Sequence, residues 1–547
     1  LALPLDKVVL RQTETGGAFG GKEDYPSVIA VQAALLAMKA GRPVRMILER
    51  SEDIDVTTKR HPSIIRHRTG VTRDGVILAA DIDILFDGGA FSTISPVVLS
   101  RAVLHAWSAY RLPNARIVGR ALATNTAPNG AFRGFGAPQT IFAMERQMDL
   151  VARRLGMSPL EVRRKNLLKA GDTLPCGQVL RSAHAELVLD RALALSGYGR
   201  KHGGHESDDR VLRGTGLSVF LHGGGFTGAG EEKIAGSAAV EAMDDGTVDV
   251  LVSSTEMGQG AATVLPQIGA QALGLPLDRI FHPAPATDRV PDSGPTVASR
   301  TVMVVGRILV GACEDLAAKV ARRLEEAAGL PEGSVTWREG TFRGPGFPEK
   351  SFEGVLDQWK DRLQGLRGEG RYAPFPDLHW DDDAYRGDAY KDYSWGANVV
   401  EVAVDPDRHT LTLCAVTAVV EIGRAVHPLL AEGQVAGGTL QALGYGGMED
   451  LRIDEGHVEA GARRPGRRGR AGRPCTHDEH IGVGGGDRRL GGAHGPPIVA
   501  DAAHGRESSS PRRRGATTLR PDEALRDRGT EDDQKSPDGL VPRDVLA

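Results

Sequence analysis

Gly16-Gly17-Ala18-Phe19-Gly20-Gly21-Lys22-Glu23 sets four glycines around one aromatic residue. It follows Val8-Val9-Leu10, which reads as a strand, and precedes Ser27 to Ala40, which reads as a helix. Glycine takes positive φ readily and brings backbone close to a ligand because it has no Cβ. A helix that starts after such a loop points free N–H groups back at it and attracts anions. The octamer therefore reads as a loop gripping the phosphate or carbonyl edge of a cofactor. Two other readings stay open on these residues. A P-loop would use Gly16, Gly21 and Lys22, but Glu23 stands where Ser or Thr should meet Mg²⁺, and its charge would repel phosphates. A bare glycine turn would bind nothing.

The 547 residues give room for roughly two to four domains with sizeable cores. A net charge of -4 points to no polyanionic partner, so no nucleic acid is expected. Cys176, Cys313, Cys414 and Cys475 are far apart with no Cys-x-x-Cys pair. That spacing argues against an iron–sulfur or structural zinc site in this chain and fits a reducing, cytoplasmic setting. No run of about eighteen apolar residues suggests a membrane span.

Further along, the Ser27–Ala40 helix is apolar nearly all round and is expected to be buried, stopped by Gly41 and Pro43. Val44 to Leu48 reads as a buried strand. Arg66 to Thr72 and Val76 to Phe86 flank Arg73-Asp74-Gly75, a hairpin signal. Pro138 to Leu155 carries Ile141, Met144, Met148 and Val151 at helical spacing, and Pro159 to Leu168 makes a shorter helix. The polar stretch 196–213 reads as a linker. Beyond it, Ala238 to Met243 and Val248 to Val252 form a second hairpin, leading through Glu256-Met257-Gly258-Gln259-Gly260 to a helix at Ala261 to Leu273. A third hairpin, Val400 to Val404 with Leu411 to Leu413, leads to a helix at Glu432 to Tyr445.

From about Gly461 the composition turns to Arg, Gly, Pro, Ala and Asp, with no Phe, Tyr or Trp through Ala547. Such a segment has too little apolar surface to offset its ordering entropy and reads as disordered. A nucleic-acid arm is the other reading, weakened by interspersed acids and missing aromatics.

Four small-residue segments recur along the chain: Gly16–Glu23, Ala131-Phe132-Arg133-Gly134-Phe135-Gly136, Glu256–Gly260, and Pro295-Thr296-Val297-Ala298-Ser299-Arg300. In this order and at these separations they resemble the molybdopterin-binding large subunit of the xanthine dehydrogenase/aldehyde oxidase family of molybdenum hydroxylases. Pro159–Asn166 and Gly433-Gln434-Val435-Ala436-Gly437-Gly438 strengthen the likeness, which runs from about Leu5 to about Leu451.

The resemblance implies an α+β fold of two mixed α/β molybdopterin-binding domains with the cofactor between them. Residues 1–195 would form the first domain, 196–213 the linker, 214–454 the second domain and 455–547 the disordered tail. It implies molybdenum–molybdopterin, in the cytosine dinucleotide form, with iron–sulfur clusters and FAD on partner subunits of a hetero-oligomer. Cofactor contacts would come from Gly17, Ala18, Phe19, Gly20, Phe132, Arg133, Gly134, Gly258, Gln259, Ala298, Ser299 and Gln434. Gln259, Arg133 and Glu23 would take part in catalysis, and Glu23, Phe135 and Phe226 would contact a flat substrate. Read as plain structure, Arg133 would be a salt-bridge partner, and Phe132 and Phe135 would be core residues.

The family reaction hydroxylates an electron-poor carbon of an aldehyde or N-heterocycle, with water as oxygen source and a glutamate as base. The Ala131–Gly136 loop lacks the cysteine of the carbon-monoxide branch, which favours an aldehyde or a purine-like heterocycle. The family's C-terminal Gly-x-Gly-Glu is missing; Gly482-Val483-Gly484-Gly485-Gly486-Asp487 is a superficial echo. A shifted reading frame after about residue 455 would account for that tail, and the family's segment before the Gly16 loop would precede Leu1. Impaired turnover is therefore expected. A non-catalytic remnant that binds partner subunits is the alternative in another class.

Overall fold

The computed structural model describes residues 3–201 and 211–449, residue 451, and four short strand segments at 453–454, 457–458, 498–503 and 545–546. Gly482–Asp487, the proposed frame change and most of the expected tail lie outside the described residues, as does the middle of the expected linker. Among the described residues no helix is long and apolar enough to cross a membrane.

Helix α1 spans Tyr25–Ala40 and ends on left-handed Gly41. Strands β1 (Ser63–Val71) and β2 (Ile77–Gly89) form the expected first hairpin, with Ser63 opposite Phe86. Alternation along β2 sends Ile82, Ile84 and Phe86 inward. Helix α2 (Ser95–Val103) leads to β3 (Ala115–Ala123), which runs parallel to β2. Helix α3 (Ala137–Leu155) buries Met144, Met148 and Val151 as their spacing requires, and α4 (Pro159–Asn166) is capped by the Ser158 hydroxyl.

After α5 (Ala185–Ser196), strand β4 (Leu212–Gly223) joins a second, antiparallel sheet. The second expected hairpin is β5 (Ser237–Ala242) with β6 (Val248–Leu251), followed by α6 (Ala261–Leu273) and by α7 (Gly306–Ala328), which packs on β5. The third hairpin, β7 (Tyr393–Asp405) with β8 (Thr410–Glu421), pairs with β4, and α8 (Pro428–Gly447) follows. Strand β9 (Ile498–Ala503) extends that sheet beside β8, and β10 (Val545–Leu546) pairs with β3.

Two apolar cores hold these layers. One gathers Ile84, Trp107, Met144 and Met148 with Val219, Leu221, Trp395 and Val419, so strands from both halves of the sequence share it. The other lies between β5, β6, α6 and α7, around Val240, Val250, Leu265, Leu309 and Leu316.

Three local expectations are corrected. Val8–Leu10 is extended but unpaired as a strand; beside it Arg11 makes a single bridge to Ala286. Val44–Leu48 is not a strand: among the described residues no strand pairs with it, and Ile47 stays 66% exposed. Helix α1 forms, but none of its residues is buried, and no described helix or strand packs along it. Val31, Leu35, Leu36 and Met38 are each about half exposed. Apolar composition states a preference for burial and supplies no partner. Helix α8 is similar, with Glu432 its sole buried residue and Leu429 and Leu440 exposed.

The contrast gives a test by thermal and denaturant unfolding. Ile84→Ala, in the first core, should destabilise by about 2–5 kcal/mol. Leu35→Lys on α1 should change stability by less than about 0.5 kcal/mol, while lowering the binding of a dye that reports exposed apolar surface.

Candidate functional site

The four small-residue segments meet. The Gly17 amide donates to the Met257 carbonyl (3.1 Å), and the Arg133 amide donates to the Phe19 carbonyl (2.8 Å). Gly20 lies at φ 98°, and a Cβ built on it would fall 2.9 Å from the Ala131 carbonyl carbon. Thr255 N–H donates to the Thr296 hydroxyl (2.9 Å), and Gly225 N–H to the Ala298 carbonyl (2.9 Å). The first, second, third and fourth segments are thereby one connected surface, with the Gly223–Phe226 turn at its edge.

Arg133 reaches from the second segment to α8. Its Nη2 donates to the Gln434 carbonyl (2.9 Å) and side-chain oxygen (3.2 Å), and its Nη1 to the Gln441 side chain (3.4 Å). Among the described residues its hydrogen-bond partners are neutral amide groups, so no carboxylate neutralises its charge there. Burial draws its pKa downward. Phe132 lies under the Arg60 guanidinium, 4.2 Å from its ring centroid. Phe135 is half-buried against the first core. Phe19 remains 53% exposed.

The third segment is more self-contained than its glycines suggest. Gln259 is folded back: its Nε2 donates to Thr255 O (2.8 Å) and its Oε1 accepts from Met257 N–H (2.7 Å). Glu256 caps α6, accepting from Gly258, Gly260 and Ala262 amides at 2.6, 3.1 and 2.8 Å. Burial works to raise this carboxyl's pKa, but those amides outweigh it and hold the group below its ordinary range. Lys22 likewise folds back, onto the Gly17 carbonyl at 2.6 Å, so it does not extend over the loop as a P-loop lysine would.

Residues absent from the sequence reading sit between these loops. Arg101, on α2, is 4% exposed and donates to the Gly223 (3.0 Å) and Gly225 carbonyls. His105 accepts the Gly223 amide at Nε2 (3.0 Å), so its Nδ1 carries the proton and donates to Arg101 O (2.7 Å). The His222 ring lies tilted at 4.8 Å, its Nε2 buried without a hydrogen-bond partner among the described residues. Burial, then the neighbouring His222 and Arg101, holds His105 well below the usual imidazole range; burial, then Arg101, lowers His222 to about 3. Arg101 carries one readable sign: it sits inside Val97-Val98-Leu99-Ser100-Arg101-Ala102-Val103-Leu104, an otherwise apolar helical run. The histidines had no distinguishing spacing.

Glu23 lies within electrostatic reach of Arg101. Burial, reinforced by Asp24 and opposed by Arg101, raises its carboxyl from 4.5 to about 7. The carboxyl pKa of Asp24 is also raised by burial, and its Oδ2 has no hydrogen-bond partner among the described residues.

Residues 1–167 match a molybdopterin cofactor-binding domain model, and residues 191–462 match a second such model. The xanthine dehydrogenase of Oryza sativa subsp. japonica is 32% identical over 464 residues, which are 84% of this chain and 32% of that protein. A probable xanthine dehydrogenase subunit of Bacillus subtilis (strain 168) is 32% identical over 470 residues, 84% of this chain and 60% of the relative. The solved aldehyde oxidoreductase from Desulfovibrio gigas superposes with a TM-score of 0.70 at 29% identity, covering 81% of this chain and 46% of that one. The chain thus spans less than two thirds of each of these proteins.

The converging loops hold strained backbone. Phe19, Phe135, Ala298 and Ser299 hold left-handed backbone without being glycine, and all four lie in the converging segments. Such conformations persist where surroundings over-determine them, commonly at ligand clamps. His222 Nε2 and Asp24 Oδ2 add buried polar atoms without hydrogen-bond partners among the described residues.

The Glu23 shift has a definite sign. Because the folded pKa is raised, its stabilising contribution is fully present below 4.5 and is lost as pH rises through about 7. Glu23→Gln should match the wild-type melting temperature at pH 4.5 or below and exceed it at pH 8.

Proposed function

Because the chain belongs to the family of molybdopterin-binding large subunits of molybdenum hydroxylases, we propose that it hydroxylates an aldehyde or a purine-like N-heterocycle with water as oxygen source. In this reading iron–sulfur and FAD subunits accept the electrons in a cytoplasmic hetero-oligomer. The observation that carries it is the joining of four distant loops around Phe19, Arg133 and the Gln259 turn.

Gly17, Ala18, Phe19, Gly20, Phe132, Arg133, Gly134, Gly258, Gln259, Ala298, Ser299 and Gln434 would hold a molybdenum–pterin, in the cytosine dinucleotide form. That group would supply the redox chemistry. Arg133 places a cation where charge develops and is itself fixed by Gln434 and Gln441. Gln259 shapes its turn, since its carbonyl oxygen and one amide hydrogen are already engaged. Glu23 is protonated below about pH 7 and then donates a hydrogen bond to a ring nitrogen or carbonyl; above it, it accepts one. Phe135 and Phe226 would flank a flat substrate.

The exposed apolar surfaces of α1 and α8 favour a second reading, a remnant that binds partner subunits without turnover. Metal and pterin analysis of the purified chain separates the two: molybdenum at about one per chain supports the first, and none supports the second. Arg133→Lys cannot reproduce the forked contacts to α8 and should lower molybdenum retention by about 10–100-fold. In a heterocycle panel with an artificial electron acceptor, KM should change across pH 7 for the wild type and stay flat for Glu23→Gln.

A further inference from the structure

Gly228-Ala229-Gly230-Glu231 has Gly-x-Gly-Glu spacing, but its carboxylate is committed elsewhere. Glu231 is 6% exposed and Arg300 1%. Arg300 Nε donates to both Glu231 oxygens at 3.0 Å, and Nη2 donates to Oε2 at 2.8 Å. The remaining arm, Nη1, donates to Ser293 O (2.6 Å) and Pro295 O (3.3 Å). On the acid's side, Glu231 Oε1 also accepts the Phe226 amide at 3.3 Å. Gly236 and Gly294 make room for the guanidinium: Cβ atoms there would lie 3.4 and 3.0 Å from its nitrogens. One buried ion pair thus ties the turn bearing Phe226 to the segment bearing Ala298 and Ser299.

Ala298 and Ser299, adjacent in the chain, have φ of 53° and 56°. Left-handed backbone at non-glycine residues costs energy and has to be imposed from outside. The Ala298 carbonyl is pinned by Gly225 N–H, and the residue after Ser299 is Arg300 itself. From this geometry we propose that the Glu231–Arg300 pair is a positioning device. It imposes the strained Ala298–Ser299 conformation and sets the distance between that loop and Phe226. The inference rests on the proposed function in taking these loops as the walls of the cofactor and substrate cleft.

A strain-based device makes a prediction that a general stabiliser does not. Glu231→Gln keeps shape and removes charge. In the full chain it should speed amide hydrogen exchange at residues 293–300 and 224–227 by at least about tenfold, leaving β2 amides unchanged. Molybdenum content per chain should fall with it. Adding Ala298→Gly and Ser299→Gly in the Glu231→Gln background removes the strain and should restore most of the exchange protection. Equal acceleration in β2, no local acceleration, or no rescue by the glycines would overturn the proposal. A wild-type chain that holds no molybdenum would count against the proposed function alone, because exchange and its glycine rescue still decide the role of the pair. Should Glu231→Gln fail to fold, Arg300→Lys, which keeps the charge and loses the fork, carries the same exchange test.

Discussion

Gly20 meets the Ala131–Phe132 backbone too closely for any side chain, and this contact fixes the rest of the cleft. With a Cβ position 2.9 Å from the Ala131 carbonyl carbon and φ at 98°, both space and backbone angle demand glycine. The close approach lets Arg133 N–H reach the Phe19 carbonyl, which in turn orients Arg133 toward α8. Gly17 then ties the same loop to Met257. Segments more than a hundred residues apart become one surface through backbone contacts, so their side chains stay available. That economy of bulk explains why glycine and alanine, rather than charged residues, mark the site in the sequence.

Local patterns were readable and long-range placement was not. The hairpins at Ser63–Gly89, Ser237–Leu251 and Tyr393–Glu421, and the helices at Ala137–Leu155 and Ala261–Leu273, follow from alternation, helical spacing and turn residues. Burial of α1 did not follow, because apolar residues on every face say nothing about what covers them. Val44–Leu48 has strand-like residues, but a strand exists only where a neighbour accepts its hydrogen bonds. The sharing of one core by Met144 and Trp395 is a property of topology, invisible in any window of sequence.

The glycine and small-residue loops were legible as a group, whereas the buried ions that organise them were not. Arg300 and Glu231 look like ordinary surface charges until the fold shows what they touch, and the apolar run around Arg101 hints at its burial without naming its partners. Each spends its hydrogen bonds on backbone carbonyls, amides or a single counter-ion of a distant segment. A buried cation so satisfied costs less than an isolated one, but its partners are set by tertiary structure. His105 and His222 follow the same logic: their neutrality is imposed by burial and by Arg101, neither of which the sequence states.

Glu256 changes the physical account of the third loop. A glycine-rich turn before a helix is expected to offer free amides to an anion, yet here Gly258, Gly260 and Ala262 already donate to an internal carboxylate. An incoming phosphate would have to displace a group held within the same loop, whose charge the amides already stabilise. Helices α1 and α3 differ, since neither Asp24 nor Gly136 at their N-terminal ends supplies a side-chain cap. Among the described residues Arg133 has no carboxylate partner, so it supplies positive charge to these loops, while the Gly258–Gln259 turn provides shape. A ligand spanning all four loops would meet its electrostatic complement on the Phe19–Arg133 side and its steric complement on the other.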